Sequence, residues 1–432
     1  MQDEGLLAEL MLFSLPPTQV AVEKLYYVDC RPVSQISGSG PVEFHISGQS
    51  SDYIALDRSL LYVKARIVKQ DGTPLSAKEQ TAYVNLPLQT LWGQVEVSLQ
   101  GKLLSLNSGN YAYKAYIQTL LNYGVGSKKG QLTSQLYYQD TPGSMDETDP
   151  DGGNTGLFER NEFTKNSATL DMVGRLCEDA CHLNRYILNG VDLDIKLYRN
   201  RTPFVLMSGV QNPDYRIELQ EVMFRLCRVQ VNAGVLVGHN KALELSPAKY
   251  PFTSSNVKVA TIPANQSTFI WDNLYQGKLP SKVIVGLVAA EAYAGSYTRN
   301  PFNFQSYNAS SVGLFVNNVS VPYRPHKLEF ASNAQCYVTA FRSLFEVADK
   351  ADLDTDNALD RDDWPRGYAL YGFQLTPTFG EDEHLSPSQN ADVRLEITFT
   401  NTLTETVSCI LYSEFDDVFE IDQTRNVIVT SK

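Results

Sequence analysis

Two stretches of this chain, about half a chain length apart, are near-copies of one another, and that repetition restricts the possible folds more than any single motif does. The first reads Val95-Glu96-Val97-Ser98-Leu99-Gln100-Gly101-Lys102-Leu103, and the second Leu314-Phe315-Val316-Asn317-Asn318-Val319-Ser320-Val321. Each pattern is a strand, a two-residue polar turn and a returning strand. Gln-Gly and Asn-Asn both tolerate the positive φ that a tight hairpin turn demands. The turns lie about 217 positions apart.

Two more pairs follow the same order. His182-Leu183 precedes the alternating run Val191 to Leu197, and His384-Leu385 precedes Val393 to Phe399, about 202 positions later. Strict alternation of apolar and polar residues is the mark of a half-buried strand. The third pair is helical. Tyr113, Tyr116, Ile117, Leu120 and Leu121 share one helix face, and Tyr337, Ala340, Phe341, Leu344 and Phe345 repeat that spacing about 224 positions on. Offsets that drift while order is kept describe a duplicated domain with loop insertions.

The 432 residues suit two such domains rather than one core. Tyr 24, Phe 19, Gly 27 and Pro 20 favour many short strands joined by turns. A net charge of −13 argues against gripping phosphate backbones as the main task, though not against enclosing nucleic acid. Cys30, Cys177, Cys181, Cys227, Cys336 and Cys409 are too sparse for a disulfide framework. Asp3 and Glu4 do not resemble the basic start of a signal peptide, and no apolar run approaches the roughly 20 residues of a membrane span. The expectation is a protein made inside the cell, where the sequons at Asn200, Asn265, Asn308 and Asn318 have no glycosylation role.

Residues 1–25 are expected to be an N-terminal arm. Leu6, Leu7, Leu10 and Met11 can line one face of a short helix, which Leu15-Pro16-Pro17 would end. Such an arm cannot build a core, so it packs on its own body or reaches a neighbour. Residues 26–235 form the first domain and 236–432 the second, with a joint near 232–250. Strands are expected around 41–46, 59–68, 168–173, 191–197 and 215–231, then 256–262, 267–271, 282–288, 368–375, 393–399 and 407–415, besides the two hairpins. Two long acidic stretches, 124–163 and 352–363, read as loops. About eight strands per half give an all-β chain: a tandem double jelly roll of two eight-stranded antiparallel sandwiches, with one short inserted helix per half.

Candidate chemistry is thin. Asp352, Asp354, Asp356, Asp360 and Asp363 fall on the ligand positions of an EF-hand calcium loop, with Asn357 where the sharp turn needs Gly. Asp363 is one methylene shorter than the usual Glu, and Trp364-Pro365 starts no good helix, so a solvated acidic loop is the competing reading. Calcium is the one cofactor the sequence suggests. Cys177, Cys181 and His182 lack a zinc-site spacing and read as packing residues. There is no phosphate-binding loop, dinucleotide turn, nucleophile elbow or zinc-protease helix, so an enzyme is not expected.

Several stretches resemble the double jelly-roll major capsid (hexon) proteins of Polinton/Maverick elements and adintovirus-like viruses. They are Leu15 to Gln19, Tyr113 to Gly124, Gln131 to Leu136, Gly277 to Lys282, Ser296 to Phe304 and Leu411 to Asn426. The resemblance implies homotrimers with six similar wedges, which tile an icosahedral shell around a DNA genome in the virion. It implies neighbouring capsomers and minor capsid or vertex proteins as partners, with no sequence-specific nucleic acid and no membrane span. It also implies that loops such as 124–163 and 345–366 form the outer crown or the trimer contacts. The rival from another class is a two-domain β-sandwich carbohydrate binder or hydrolase, which should be monomeric and carry a concave aromatic or carboxylate-lined site.

Overall fold

Both repeated hairpins form with the turn chemistry their sequences prescribe. Gln100 and Gly101 take φ of 49° and 69°, and Asn317 and Asn318 take 49° and 66°. Two consecutive left-handed residues match the right-handed twist of the flanking strands. The register agrees too: Leu99 faces Lys102 and Val316 faces Val319. The computed structural model describes residues 12, 15, 18–36, 40–76, 79–104, 109–377 and 385–430. Leu6, Leu7, Leu10, Met11 and His384 lie outside the described residues.

The main strands, in chain order, are β1 (Val22–Cys30), β2 (Val42–Ile46), β3 (Tyr53–Lys69), β4 (Trp92–Leu99), β5 (Lys102–Leu103), β6 (Leu170–Gly174), β7 (Leu193–Arg199) and β8 (Tyr215–Val231). The second half supplies β9 (Ala248–Ile262), β10 (Thr268–Lys278), β11 (Lys282–Ala289), β12 (Ala309–Val316), β13 (Val319–Lys327), β14 (Leu370–Gln374), β15 (Asn390–Phe399) and β16 (Val407–Ile421). A last strand, β17 (Val427–Thr430), adds to β16.

The first half pairs in the orders β1-β8-β3-β6 and β2-β7-β4-β5. The second pairs as β9-β16-β11-β14 and β10-β15-β12-β13. Adding eight to every strand number of the first half yields the second. Each half is therefore an eight-stranded antiparallel jelly roll of two four-stranded sheets, and the repeats seen in sequence occupy equivalent places. The hairpins are β4-β5 and β12-β13, the alternating runs are β7 and β15, and each helix of the third pair connects the fifth strand of its half to the sixth.

Alternation places the core. In β7, Leu193, Ile195 and Leu197 are buried, as are Val393, Leu395, Ile397 and Phe399 in β15. Buried apolar residues of both halves form one continuous cluster.

Helix is more abundant than one short insert per half, at 18% of the chain. The longer helices are α1 (Tyr111–Asn122), α2 (Thr155–Thr164), α3 (Ala233–Leu243) and α4 (Val338–Val347). α2 falls in the stretch expected to be loop; Asn154 caps it by accepting the Leu157 N–H at 3.4 Å. α3 occupies the expected joint. β1 begins at Val22, inside the 1–25 stretch, and was not foreseen because its apolar residues do not alternate. No described helix is long and apolar enough to cross a membrane.

Candidate assembly site: the seam between the sandwiches

Helix α1 was expected to bury one face. It buries ten of its twelve residues because it lies between the two sandwiches, against β4 of the first and β9 of the second. Tyr116 stacks on Phe302 with ring centroids 4.0 Å apart. Tyr113 meets Phe302 and Phe304 edge-on and stacks on Tyr293. Gln118 reaches into the second half and donates to the Tyr412 hydroxyl at 2.9 Å. Aromatic packing of this kind contributes both buried area and a geometric preference.

Two buried charge networks flank the rings. Lys114 lies 2.9 Å from both Glu178 and Asp179. Asp179 carries the contact across the seam, accepting the Ser255 N–H at 3.0 Å and the Ser255 hydroxyl at 2.7 Å. Burial, reinforced by the Asp179 carboxylate, pushes the Glu178 carboxyl up to about 7, while Lys114 pulls the other way. The second network centres on Asp140, which accepts from the wholly buried Arg160 at 2.6 Å and from Asn154 at 2.9 Å. From the other half, Asn300 donates to Asp140 at 3.2 Å and the Tyr368 hydroxyl to the Asp140 carbonyl at 2.6 Å. Satisfied on both sides, such groups fix one arrangement of the halves; losing one partner strands a buried charge.

Parts of the segment 124–163 pack into this seam. Asp146 accepts the Asn300 N–H at 2.8 Å and the Asn303 side chain at 2.9 Å. Lys128, itself buried, donates to the carbonyls of Leu120 at 2.8 Å and Asn357 at 2.6 Å. Its ammonium is pushed down to about 7 by burial, with the nearby Lys350 acting in the same direction. At Gly367, with φ of 120°, a Cβ would overlap Met145 Sδ, so only glycine lets the strands of the second half approach the 140s segment.

The five aspartates of the calcium-like loop are not brought together. Asp352 pairs with Arg342 at 2.7 Å. Asp356 accepts the Val125 N–H at 2.9 Å, across the seam. Asp360 accepts the N–H groups of Asp362 and Asp363, each at 2.8 Å, closing its own turn. Asp363 faces Arg366 at 3.5 Å. No hydrogen bond or ion pair ties Asp354 to the others. The left-handed positions are Asp352 and Ala358, not Asn357, whose side chain instead accepts the Leu359 N–H. Among the described residues no three His, Cys, Asp or Glu side chains gather as a metal site would need. Cys181 is buried, the Cys177 N–H donates to the Tyr111 hydroxyl, and His182 is exposed, so these three do not converge either.

The seam residues that sequence reasoning did not assign are Lys114, Asp140, Arg160, Asp179 and Ser255. A charged residue amid the apolar face of α1, Lys114, was the one visible signal, since a buried lysine needs a partner. The stretches Tyr113 to Gly124 and Ser296 to Phe304, which carry much of the family resemblance, prove to be the two sides of the aromatic contact.

A tandem double jelly roll locked by a buried seam is the class to which this chain belongs, and its fold is similar to that of viral major capsid proteins. The Sputnik virophage structure determined by cryo-electron microscopy superposes with a TM-score of 0.68 at 14% identity, covering 99% of this chain and 92% of that one. The mavirus major capsid protein gives 0.52 at 11% identity, covering 97% and 92%. The Faustovirus major capsid protein gives 0.57 at 9%, covering 98% and 93%. In sequence, the uncharacterized protein F54H12.2 of Caenorhabditis elegans is 25% identical over 436 residues, spanning 96% of this chain and all of that protein. No protein-family model matches.

Proposed function

We propose that this chain is the major capsid protein of a Polinton/Maverick- or adintovirus-like element. Three copies form a pseudo-hexameric homotrimer, and the trimers tile an icosahedral shell around a DNA genome, with minor capsid or vertex proteins as further partners. The observation that carries this reading is the pairing of two topologically equivalent jelly rolls, held side by side by a buried seam, matching 92% of the length of the Sputnik and mavirus chains. Two equivalent wedges per chain are what a three-chain block needs to present six similar sides. The role is structural: Tyr113, Tyr116, Asp140 and Asp179, residue types that a binder or hydrolase would display, are buried in joining the halves.

Light scattering of the purified chain tests the reading. The expected mass is three times 48.2 kDa, unchanged on dilution, with shells visible by electron microscopy at high concentration. A strictly monomeric chain at every concentration would favour the binder or hydrolase.

A further inference from the structure

The two halves share a topology but not an environment. In the second half, the first strand β9 and its neighbour β16 are covered by the first half: Ser255 is buried against Asp179, and Tyr412 lies under Gln118 of α1. In the first half, no described residue covers the equivalent surface. β1 leaves Leu25, Tyr27 and Val28 exposed, Tyr27 by 49%. Beside it, a groove of about 550 Å³ is lined by Pro32, Ile36, Lys64, Glu221, Val222 and Met223. β8 ends at Val231 as β16 ends at Ile421, so the pairs β1–β8 and β9–β16 match. Those last residues pair in turn with the first residues of β1 and β9.

The helices are unequal in the complementary sense. α1 is buried on all sides, whereas α4 packs one face on β14, where the Gly372 N–H donates to the Ser343 hydroxyl at 3.1 Å. Its other face stays open. Val338 is 49% exposed, Arg342 is exposed, and the half-buried Phe341 and Phe345 rings meet edge-on. By the helix repeat, Arg342 stands where Gln118 stands in α1.

We infer that α4 of one copy covers the groove beside β1 of a second copy, repeating between chains the contact that α1 makes within one. This deepens the homotrimer reading and rests on it. The second copy is the fitting occupant because, among the described residues, each chain presents an uncovered helix face and an uncovered groove, and the covered pair inside the chain shows that these surface types fit each other. The contact is heterologous, helix on groove, and such contacts build rings when the rotation closes. Alternating first and second halves, six wedges close the ring with three chains. Glu221 on the groove wall offers a carboxylate to Arg342, which within its own chain is bound by Glu346 and Asp352.

Val338→Asp and Met223→Asp, made singly in the full chain, test this by light scattering, with thermal melts showing that each variant is folded. Each variant should fall from the trimer mass toward 48.2 kDa. Mixing them should restore one contact, because the Met223→Asp chain keeps its helix and the Val338→Asp chain keeps its groove. The mixture should therefore contain a heterodimer of twice the chain mass and no trimer. If the wild type is trimeric and both variants stay trimeric, or their mixture stays monomeric, the inferred contact is wrong while the capsid reading stands. If the wild type itself is monomeric throughout, the capsid reading falls and takes this contact with it.

Discussion

Tyr116 and Phe302, one from each jelly roll and 186 positions apart in sequence, lie face to face with ring planes 6° apart and centroids at 4.0 Å. Around that pair the halves share one continuous apolar core, so they should unfold together. Tyr116→Ala or Phe302→Ala should each cost about 3–5 kcal/mol, the range for truncating a buried aromatic. The double variant should cost less than the sum by about 1 kcal/mol, the coupling of a stacked pair. Urea unfolding followed by fluorescence and by far-ultraviolet dichroism checks this. The wild type should show coincident transitions and the double variant separate ones, whereas two resolved transitions in the wild type would remove the seam as a unifying element.

Gly367 tests the closeness of the same seam at another point. Gly367→Ala should destabilise by roughly 2–4 kcal/mol, combining left-sided backbone strain with overlap on Met145. Met145→Ala in the same chain should recover part of that loss by vacating the space. A melting temperature for Gly367→Ala equal to the wild type would show that the approach is looser than described.

The fold was legible where the chain repeats itself and where strands are half-buried. Val393 to Phe399 and Tyr215 to Val231 alternate or run apolar because one side faces a core, and period two is readable from sequence alone. β1 was missed because Leu25, Tyr27 and Val28 are exposed and its pattern reports no single core face. The seam was missed for a different reason. Asp140, Arg160 and Asn300 meet only after 124–163 folds against the second half, and a loop's acidity does not reveal whether its charges face water or one another. The aspartates of 352–363 have a spacing that suits a metal, but in the fold their partners are Arg342, Val125 and their own turn, which spacing alone does not reveal.

Calcium therefore should not bind that loop. Isothermal titration of the full chain should show no heat beyond dilution up to millimolar calcium, and the melting temperature should not move. A saturable heat lost in Asp354→Asn would reinstate the site, since Asp354 is the member not engaged elsewhere in the loop's bonding.

The Asn317-Asn318 turn should be sensitive to shape rather than polarity. Both residues sit at positive φ, where a β-branched side chain costs roughly 1–2 kcal/mol apiece. Val at both positions should lower stability by a few kcal/mol, and Gly at both should be tolerated. Equal melting temperatures for the two variants would contradict the turn assignment.

Two buried groups make stability depend on pH in opposite senses and separate windows. Glu178 has a folded value raised from the usual carboxyl range to about 7, so between about 4.5 and 7 the folded chain holds a proton that the unfolded chain has released. Its contribution is fully present below that window and is lost as pH rises through it. Lys128 is depressed to about 7, so between about 7 and 10.5 the unfolded chain holds the extra proton and stability gains as pH rises. Comparing each variant with the wild type cancels the titration of all other groups. The stability of the wild type relative to Glu178→Gln should therefore fall from pH 4.5 to 7 and then level off. Relative to Lys128→Met it should stay level up to about pH 7 and then climb. Chemical denaturation at half-unit pH steps measures both curves. Slopes of the same sign, or both confined to one window, would mean that the two charges are not buried in the seam as their partners indicate.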